Sequence, residues 1–214
     1  MKKACILCII LLSSIAVKLT AVKVDDAVKP DMYNGNGLPK LHQMTKLSGN
    51  PSPDVKPGFL NIVADYFCYS DDRFYTAIQT KSGSFPSSGK LGTSWYSYMT
   101  VIANPDNKDI AWALTYINVP MTSIKPGLYR IDSRKKDELI RIGDIEYNID
   151  RDNSLLRMSC KISDLLADPY FSAWYDKTAP IFAMLSLTSS TSIIPFRTKT
   201  VGSTYPGSII KLGK

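Results

Sequence analysis

From residue 59 onward the chain alternates apolar and polar side chains with a period of two, over short runs closed by turn-forming residues. That period places successive side chains on opposite faces of a strand. Phe59–Tyr69 puts Leu60, Ile62, Ala64, Tyr66 and Cys68 on one face. After the turn Ser70-Asp71-Asp72, Arg73–Thr80 sets Phe74, Thr76 and Ile78 against Tyr75, Ala77 and Gln79, and the pair predicts a hairpin. Ser94–Ala103 is aromatic and β-branched. Asn104-Pro105-Asp106-Asn107 then turns the chain, because Pro fixes φ and Asn and Asp bond their own backbone. Ile110–Val119 carries Trp112, Leu114 and Tyr116 on one face, and Pro126-Gly127 leads into Leu128–Ile131. Leu139–Ile149 and Leu155–Ile162 flank Asp150-Arg151-Asp152-Asn153 as a further hairpin. Ser163-Asp164-Leu165-Leu166 predicts one helical turn capped by Ser163 and stopped by Pro169. Ile181–Thr188 is the last full strand, followed by polar residues to Ser192 and a basic tail with a short strand near Ile209.

About eight short strands with turn signals between them predict an all-β fold, a mostly antiparallel, jelly-roll-like β-sandwich. No helical stretch is long enough for the crossovers that a parallel sheet needs. The sandwich is expected over residues 59–190, with a C-terminal tail at 191–214. Residues 22–58 hold Pro30, Pro39, Pro51, Pro53 and Pro57 around Asn34-Gly35-Asn36-Gly37, which predicts a linker or an irregular Pro-rich arm laid over the domain surface.

The N-terminus changes the picture of where the chain goes. Lys2 and Lys3 precede an apolar run from Ala4 to Val17, and Ala16 and Ala21 offer small residues for cleavage. This is the pattern of a secretory signal peptide over residues 1–21. The run is shorter than the roughly 20 residues of a membrane span, and no later stretch is long and apolar enough to supply one. The expectation is an exported protein: periplasmic, cell-surface or extracellular, with no integral span after cleavage. Removal of Lys2, Lys3 and Lys18 reduces the basic residues from 26 to 23 against 19 acidic ones, so the net charge falls from +7 to +4. The remaining basic residues are scattered, which argues against nucleic acid as a partner. Two cysteines survive processing, Cys68 and Cys160. In an oxidising compartment they either pair, contributing about 4–5 kcal/mol by the chain-entropy argument, or remain two separate buried thiols.

Few chemistries are written into the rest. The single histidine, His42, lies in the arm, so a histidine-built zinc site is not expected. There is no Gly-x-Ser-x-Gly elbow, no phosphate-binding Gly-rich loop and no haem-attachment motif, and no cofactor is expected. The glutamates are Glu138 and Glu146, and the aspartates gather in turns, where their side chains serve the backbone. Asp71 with Asp72, and Asp150 with Asp152 beside Asn153, are the candidate calcium ligands, since calcium takes several oxygen donors. The aromatic residues are the remaining excess. Trp95, Trp112, Trp174 and Tyr175 are the candidate ligand-binding residues: a sugar packs its apolar face on an aromatic ring while its hydroxyl edges find polar partners. Trp95 and Trp112 lie mid-strand, where aromatics also fill sandwich cores, whereas Trp174 lies in an irregular segment.

Ser48-Gly49-Asn50-Pro51-Ser52-Pro53-Asp54, then Leu60-Asn61-Ile62, then Ser70-Asp71-Asp72-Arg73-Phe74-Tyr75 resemble the opening of carbohydrate-binding-module-like and DOMON-like sandwich domains. The resemblance covers residues 48–80 and implies an exported module that binds sugars or, in some members, haem or calcium. Asn61 stands where that pattern has Asp, which removes a carboxylate from the calcium role the resemblance implies.

Three functions follow as expectations. The first is a non-catalytic ligand-binding module, with carbohydrate as its partner. The second is a structural or assembly protein of the cell envelope whose partner is another envelope protein. The third is a secreted hydrolase working through two carboxylates.

Overall fold

The strand pattern closes into two antiparallel sheets facing each other across one core. The computed structural model describes residues 27–47, 51, 55–89, 93–107, 109–117, 125–134, 139–178, 180–193, 196–204 and 207–213. The expected signal peptide, Glu138 and residues 48–50 and 52–54 of the resemblance lie outside them. One sheet has five strands, in the order β1 (Thr45–Lys46), β2 (Ile62–Tyr69), β3 (Arg73–Thr80), β9 (Leu155–Lys161), β8 (Ile145–Asp150). The other runs β11 (Phe196–Ser203), β10 (Ile181–Ile193), β4 (Ser94–Ala103), β5 (Ile110–Ile117), β6 (Gly127–Asp132), β7 (Leu139–Gly143). A seventh strand, β12 (Ser208–Lys211), pairs with the first residues of β10, and β11 pairs with its later ones. Between β9 and β10 lie two short helices, α1 (Ile162–Ala167) and α2 (Pro169–Ser172).

The sandwich is the expected one, but it holds twelve strands among the described residues rather than eight. Three local causes account for the difference. Leu139–Ile149 reads as one strand, yet the chain leaves one sheet and enters the other at Gly143-Asp144, giving β7 and β8. Strands that switch sheets make such corners. Gly143 suits this corner because an added Cβ there would stand 2.6 Å from an Asp164 carboxylate oxygen of α1. The expected tail is not an appendage either: β11 and β12 complete the larger sheet, and polar Thr188–Ser192 continues β10 to Ile193. Serines and threonines survive there because they bond across strands, Ser97 with Ser189 at 2.5 Å and Thr191 with Thr198 at 3.0 Å. The arm contributes β1, and it covers the outer face of the five-stranded sheet. Tyr33 and Met44 are buried with Tyr75, Ala77 and Leu155, the Tyr33 ring standing edge-on 5.3 Å from Tyr75. Arg157 of β9 donates to the Pro39 carbonyl at 3.2 Å.

The phase of β2 differs from the period-two reading. A bulge between Ile62 and Ala64 inserts an extra residue, and one such insertion exchanges the faces of everything after it. Leu60 forms part of a 3-10 turn, Ile62 enters the main core, and Asp65 and Phe67 follow it inward. Cys68 instead faces the arm. Across the sheet Cys68 stands opposite Tyr75 and Ser159, whereas Cys160 stands opposite Phe74. The two cysteines therefore occupy opposite faces and are free, so the disulfide alternative is corrected. Burial pushes both thiols up to about 12. In the folded chain neither Cys68 nor Cys160 is expected to react with a thiol-specific alkylating reagent at pH 8, and both should react after denaturation. Peptide mass mapping checks this, and rapid native labelling of either one would contradict the burial.

Candidate functional site

The chain following α1 is set by one carboxylate. Asp168 caps α2, accepting from the backbone N–H groups of Tyr170 at 3.0 Å and Phe171 at 3.3 Å. Its other oxygen accepts from Arg130 of β6 at 2.6 Å; Asp168 is buried and Arg130 is mostly so. As expected, α1 ends just before Pro169, and Pro169 also starts α2 at its first position, where the missing N–H costs nothing. Lys161, not Ser163, holds the cap position of α1, and its side chain makes no capping bond.

This anchorage packs an aromatic cluster against one end of the core. Trp112 is fully buried, with Phe171 edge-on at 5.0 Å and Trp174 tilted at 5.9 Å. Tyr175 stacks on Phe171 at 4.9 Å and tilts against Phe74 at 6.4 Å. Three of the four aromatic candidates thus come together, but with different parts. Trp112 belongs to the core, and Trp174 seals its edge with its indole N–H enclosed. Tyr175 turns outward from the same cluster. Trp95 stands apart at the start of β4, half-buried and opposite Thr191. Ten residues of β10 separate Thr191 from Ile181, roughly 33 Å of strand, so Trp95 lies at the other end of the sandwich.

Tyr175 lines a pocket of about 230 Å³ at the end where β2 and the C-terminus meet. Tyr69 supplies a second aromatic wall, and its hydroxyl donates to the Gly213 carbonyl at 3.2 Å. Met32, Ile162, Pro180 and Leu212 provide apolar lining, and Ser70, Asp71, Lys177 and Thr178 provide polar groups. Several local features hold these segments. Tyr33 N–H bonds the Tyr69 carbonyl at 2.6 Å, Leu212 N–H bonds the Pro180 carbonyl at 3.0 Å, and Asp176 accepts from both the N–H and the hydroxyl of Thr178 at 2.7 Å. Burial, with the charge of a neighbouring ionised Tyr69 as a smaller cause, pushes the Tyr175 phenol up to about 12, so it is a neutral donor at ordinary pH.

The acidic turns separate in space. Asp71 and Asp72 are exposed between β2 and β3, and Asp72 accepts from the Ser70 hydroxyl at 2.7 Å. Asp150 lies at the opposite end of the five-stranded sheet. Its oxygens accept from the backbone and side-chain N–H groups of Asn153, and these bonds hold its pKa low. Asp152 is exposed in the same turn. Among the described residues no three His, Cys, Asp or Glu side chains gather as a metal site would require. His42 is exposed in a 3-10 turn of the arm.

Sequence reasoning missed Tyr69, Lys177 and Thr178. A signal existed for them: Tyr69 directly precedes the acidic turn, and Lys177 and Thr178 follow Trp174-Tyr175 in the same irregular stretch. It also missed Tyr147, which is 47% exposed on β8 with its ring 5.0 Å from Tyr116.

The architecture defines the class: a two-sheet antiparallel β-sandwich with a small aromatic-walled pocket at one end. No protein-family model matches the chain, and no curated protein does. Among solved structures, it is similar to a carbohydrate binding module family 9 (CBM9) from Caldicellulosiruptor kristjanssonii, determined in complex with cellotriose. The two are 10% identical, the match covers 85% of this chain and 91% of that one, and the TM-score is 0.45.

Proposed function

We propose that this chain is an exported, non-catalytic ligand-binding module and that its ligand is a carbohydrate. The observation that carries the reading is the Tyr69–Tyr175 pocket. Phenol faces suit the apolar side of a sugar ring, and Asp71, Ser70, Lys177 and Thr178 offer acceptors and donors for its hydroxyls. Apolar walls with a few placed polar groups are what small-ligand sites use. The pocket's described lining contains one carboxylate, Asp71. A glycosidase of the usual kind works with two, so binding fits this pocket better than hydrolysis does.

The test is a titration of the folded protein with a panel of oligosaccharides, read by calorimetry, with and without Ca²⁺ because Asp71 lines the site. Saturable binding is expected, weakened at least tenfold by Tyr175→Ala, since losing one ring contact of this kind removes about 1.5–3 kcal/mol. Trp95→Ala should leave it unchanged. Binding that survives Tyr175→Ala but is lost in Trp95→Ala would move the site to the other end of the sandwich. No binding to any sugar would remove the reading.

A further inference from the structure

Among the described residues the two sheets end at β1 and β8, and at β7 and the β11–β12 side. An open edge offers unpaired backbone groups to any other strand, and proteins blunt it with short strands, bulges, prolines, covering segments or exposed basic side chains. Three of these edges are blunted. β1 has only two residues. β7 is bulged against β6 and presents Arg141. On the remaining side β12 is bridged by Val28, and β11 presents Arg197 and Lys199, both exposed. β8 has none of these devices. Its six residues, Ile145-Glu146-Tyr147-Asn148-Ile149-Asp150, hold no Lys, Arg or Pro and pair with β9 without a register shift.

The ladder on the other side of β9 fixes which backbone groups of β8 are free. Ile162 N–H bonds the Asp72 carbonyl at 2.8 Å, and Thr80 N–H bonds the Ser154 carbonyl at 3.0 Å. These bonds stand at the two ends of the β3–β9 pairing, and hydrogen-bonded pairs alternate between them. Phe74 with Cys160, Thr76 with Met158 and Ile78 with Leu156 therefore exchange the bonds of that ladder. Ser159, Arg157 and Leu155 turn their backbone groups the other way, to Glu146, Asn148 and Asp150 of β8. Ile145, Tyr147 and Ile149 are left aiming theirs out of the sheet, and no described strand receives them. Their side chains lie on the inner face: Ile145 and Ile149 are partly buried against the core, and Tyr147 is 47% exposed beside Tyr116. Glu146 and Asn148 lie on the outer face, each half used. One Glu146 oxygen accepts from Arg73 at 2.7 Å, and the Asn148 side-chain oxygen accepts from Arg157 at 2.7 Å. The second carboxylate oxygen and the Asn148 amide N–H groups remain for another partner.

We propose that the β8 edge is a self-association site, taken by β8 of a second copy of this chain in an antiparallel pairing centred on Tyr147. From Ile145 to Ile149 the pattern is apolar, polar, apolar, polar, apolar, the same in both directions. A two-fold axis at Tyr147 sets this residue opposite its own counterpart and Ile145 opposite Ile149. The outward N–H and C=O groups of all three residues are then met at once on both copies, because the edge is its own complement. On the other face Glu146 of each copy stands opposite Asn148 of the other. The unused carboxylate oxygen meets the unused amide N–H, twice by symmetry. Moving the axis by one residue loses this match: it sets Glu146 opposite its own counterpart or opposite Asp150, and like charges directly opposite are unfavourable. The pairing joins two five-stranded sheets into one. It is independent of the sugar reading, since no residue of β8 lines the Tyr69–Tyr175 pocket.

Sedimentation velocity of the full chain over a wide range of concentration reads the association, with circular dichroism to confirm that each variant is folded. A reversible monomer–dimer equilibrium is expected, dissociating on dilution because the interface is small. Tyr147→Pro is expected to abolish it. The Tyr147 N–H faces away from β9, so proline removes a bond of the dimer and none of the β8–β9 ladder. Asn148→Asp keeps an acceptor for Arg157 but sets a carboxylate opposite Glu146 at both ends, and is expected to weaken dimerisation about tenfold. Adding Glu146→Gln to Asn148→Asp should restore it, because the new amide donates to the new carboxylate while its oxygen still accepts from Arg73. A chain that stays monomeric at every concentration overturns the proposal. So does association that neither Tyr147→Pro nor Asn148→Asp reduces, which would place the contact elsewhere. A loss in Asn148→Asp that Glu146→Gln fails to restore overturns the pairing about Tyr147.

Discussion

Asp65→Asn is expected to stabilise the protein by up to about 3 kcal/mol above pH 6 and to change it little below pH 4. Asp65 points into the main core from β2, where the bulge directs it, and it is 2% exposed. One of its oxygens accepts from the Thr204 hydroxyl at 2.7 Å, and among the described residues the other has no hydrogen-bond partner. Burial raises its pKa from 3.8 to about 6, outweighing the opposing bond from Thr204 and the smaller effects of the nearby Ser186 and of the charge of Lys46. The folded state therefore holds the proton more tightly than the unfolded chain does. The stability this group contributes is complete below pH 3.8 and is lost as pH rises through about 6. A shift of about two units corresponds to roughly 3 kcal/mol. Asparagine is always neutral, so it escapes that loss while its amide oxygen still accepts from Thr204. Urea denaturation of both proteins between pH 4 and 8 reads the difference. A gap that stayed constant over that range would show that Asp65 does not titrate on folding.

Asp168→Ala is expected to destabilise the fold by about 3 kcal/mol, because it strands the mostly buried Arg130 guanidinium and removes the cap of α2 together. The effect should be asymmetric. Arg130→Met removes one partner, but Asp168 keeps its two backbone N–H bonds, so the loss should be smaller. Asp168→Asn should fall between them, keeping the cap and losing the charge. The carboxylate also positions the site: α2 leads directly to Tyr175, Lys177 and Thr178 of the pocket. Ligand affinity should then fall in Asp168→Ala even at temperatures where the protein remains folded. Equal costs for Asp168→Ala and Arg130→Met would mean that the cap contributes nothing.

Much of the fold was legible residue by residue. Ser94–Ala103 and Arg73–Thr80 are strands with the bounds the alternation predicts, and Trp112, Leu114 and Tyr116 share the inner face of β5 as their spacing requires. What misled was chemistry that local pattern shares between different structures. Ser-Thr-rich Thr188–Ser192 has the composition of a loop, and it is strand because neighbouring strands meet its hydroxyls. The candidate site was legible only in part. Tyr175 was named from its irregular segment, but Tyr69 could not be joined to it. Their approach depends on the end of β2, the loop before β10 and the C-terminus meeting, and these are distant in sequence.

The sequence by itself determined the class of secondary structure, the places of most turns and the antiparallel sandwich. Side-chain alternation, Pro and Asn-Asp turns act within a few residues and need no distant partner. Tertiary structure alone decided the rest. The bulge after Ile62 reversed the phase of β2, which sent Asp65 into the core and Cys68 away from Cys160. The corner at Gly143-Asp144 divided one apparent strand between two sheets. The packing of Trp112, Phe171 and Trp174 put Trp112 in the core and Trp174 against its edge, leaving Tyr175 to face the pocket. Each of these depends on which surfaces meet across the sandwich, and a period of two along one strand carries no record of that.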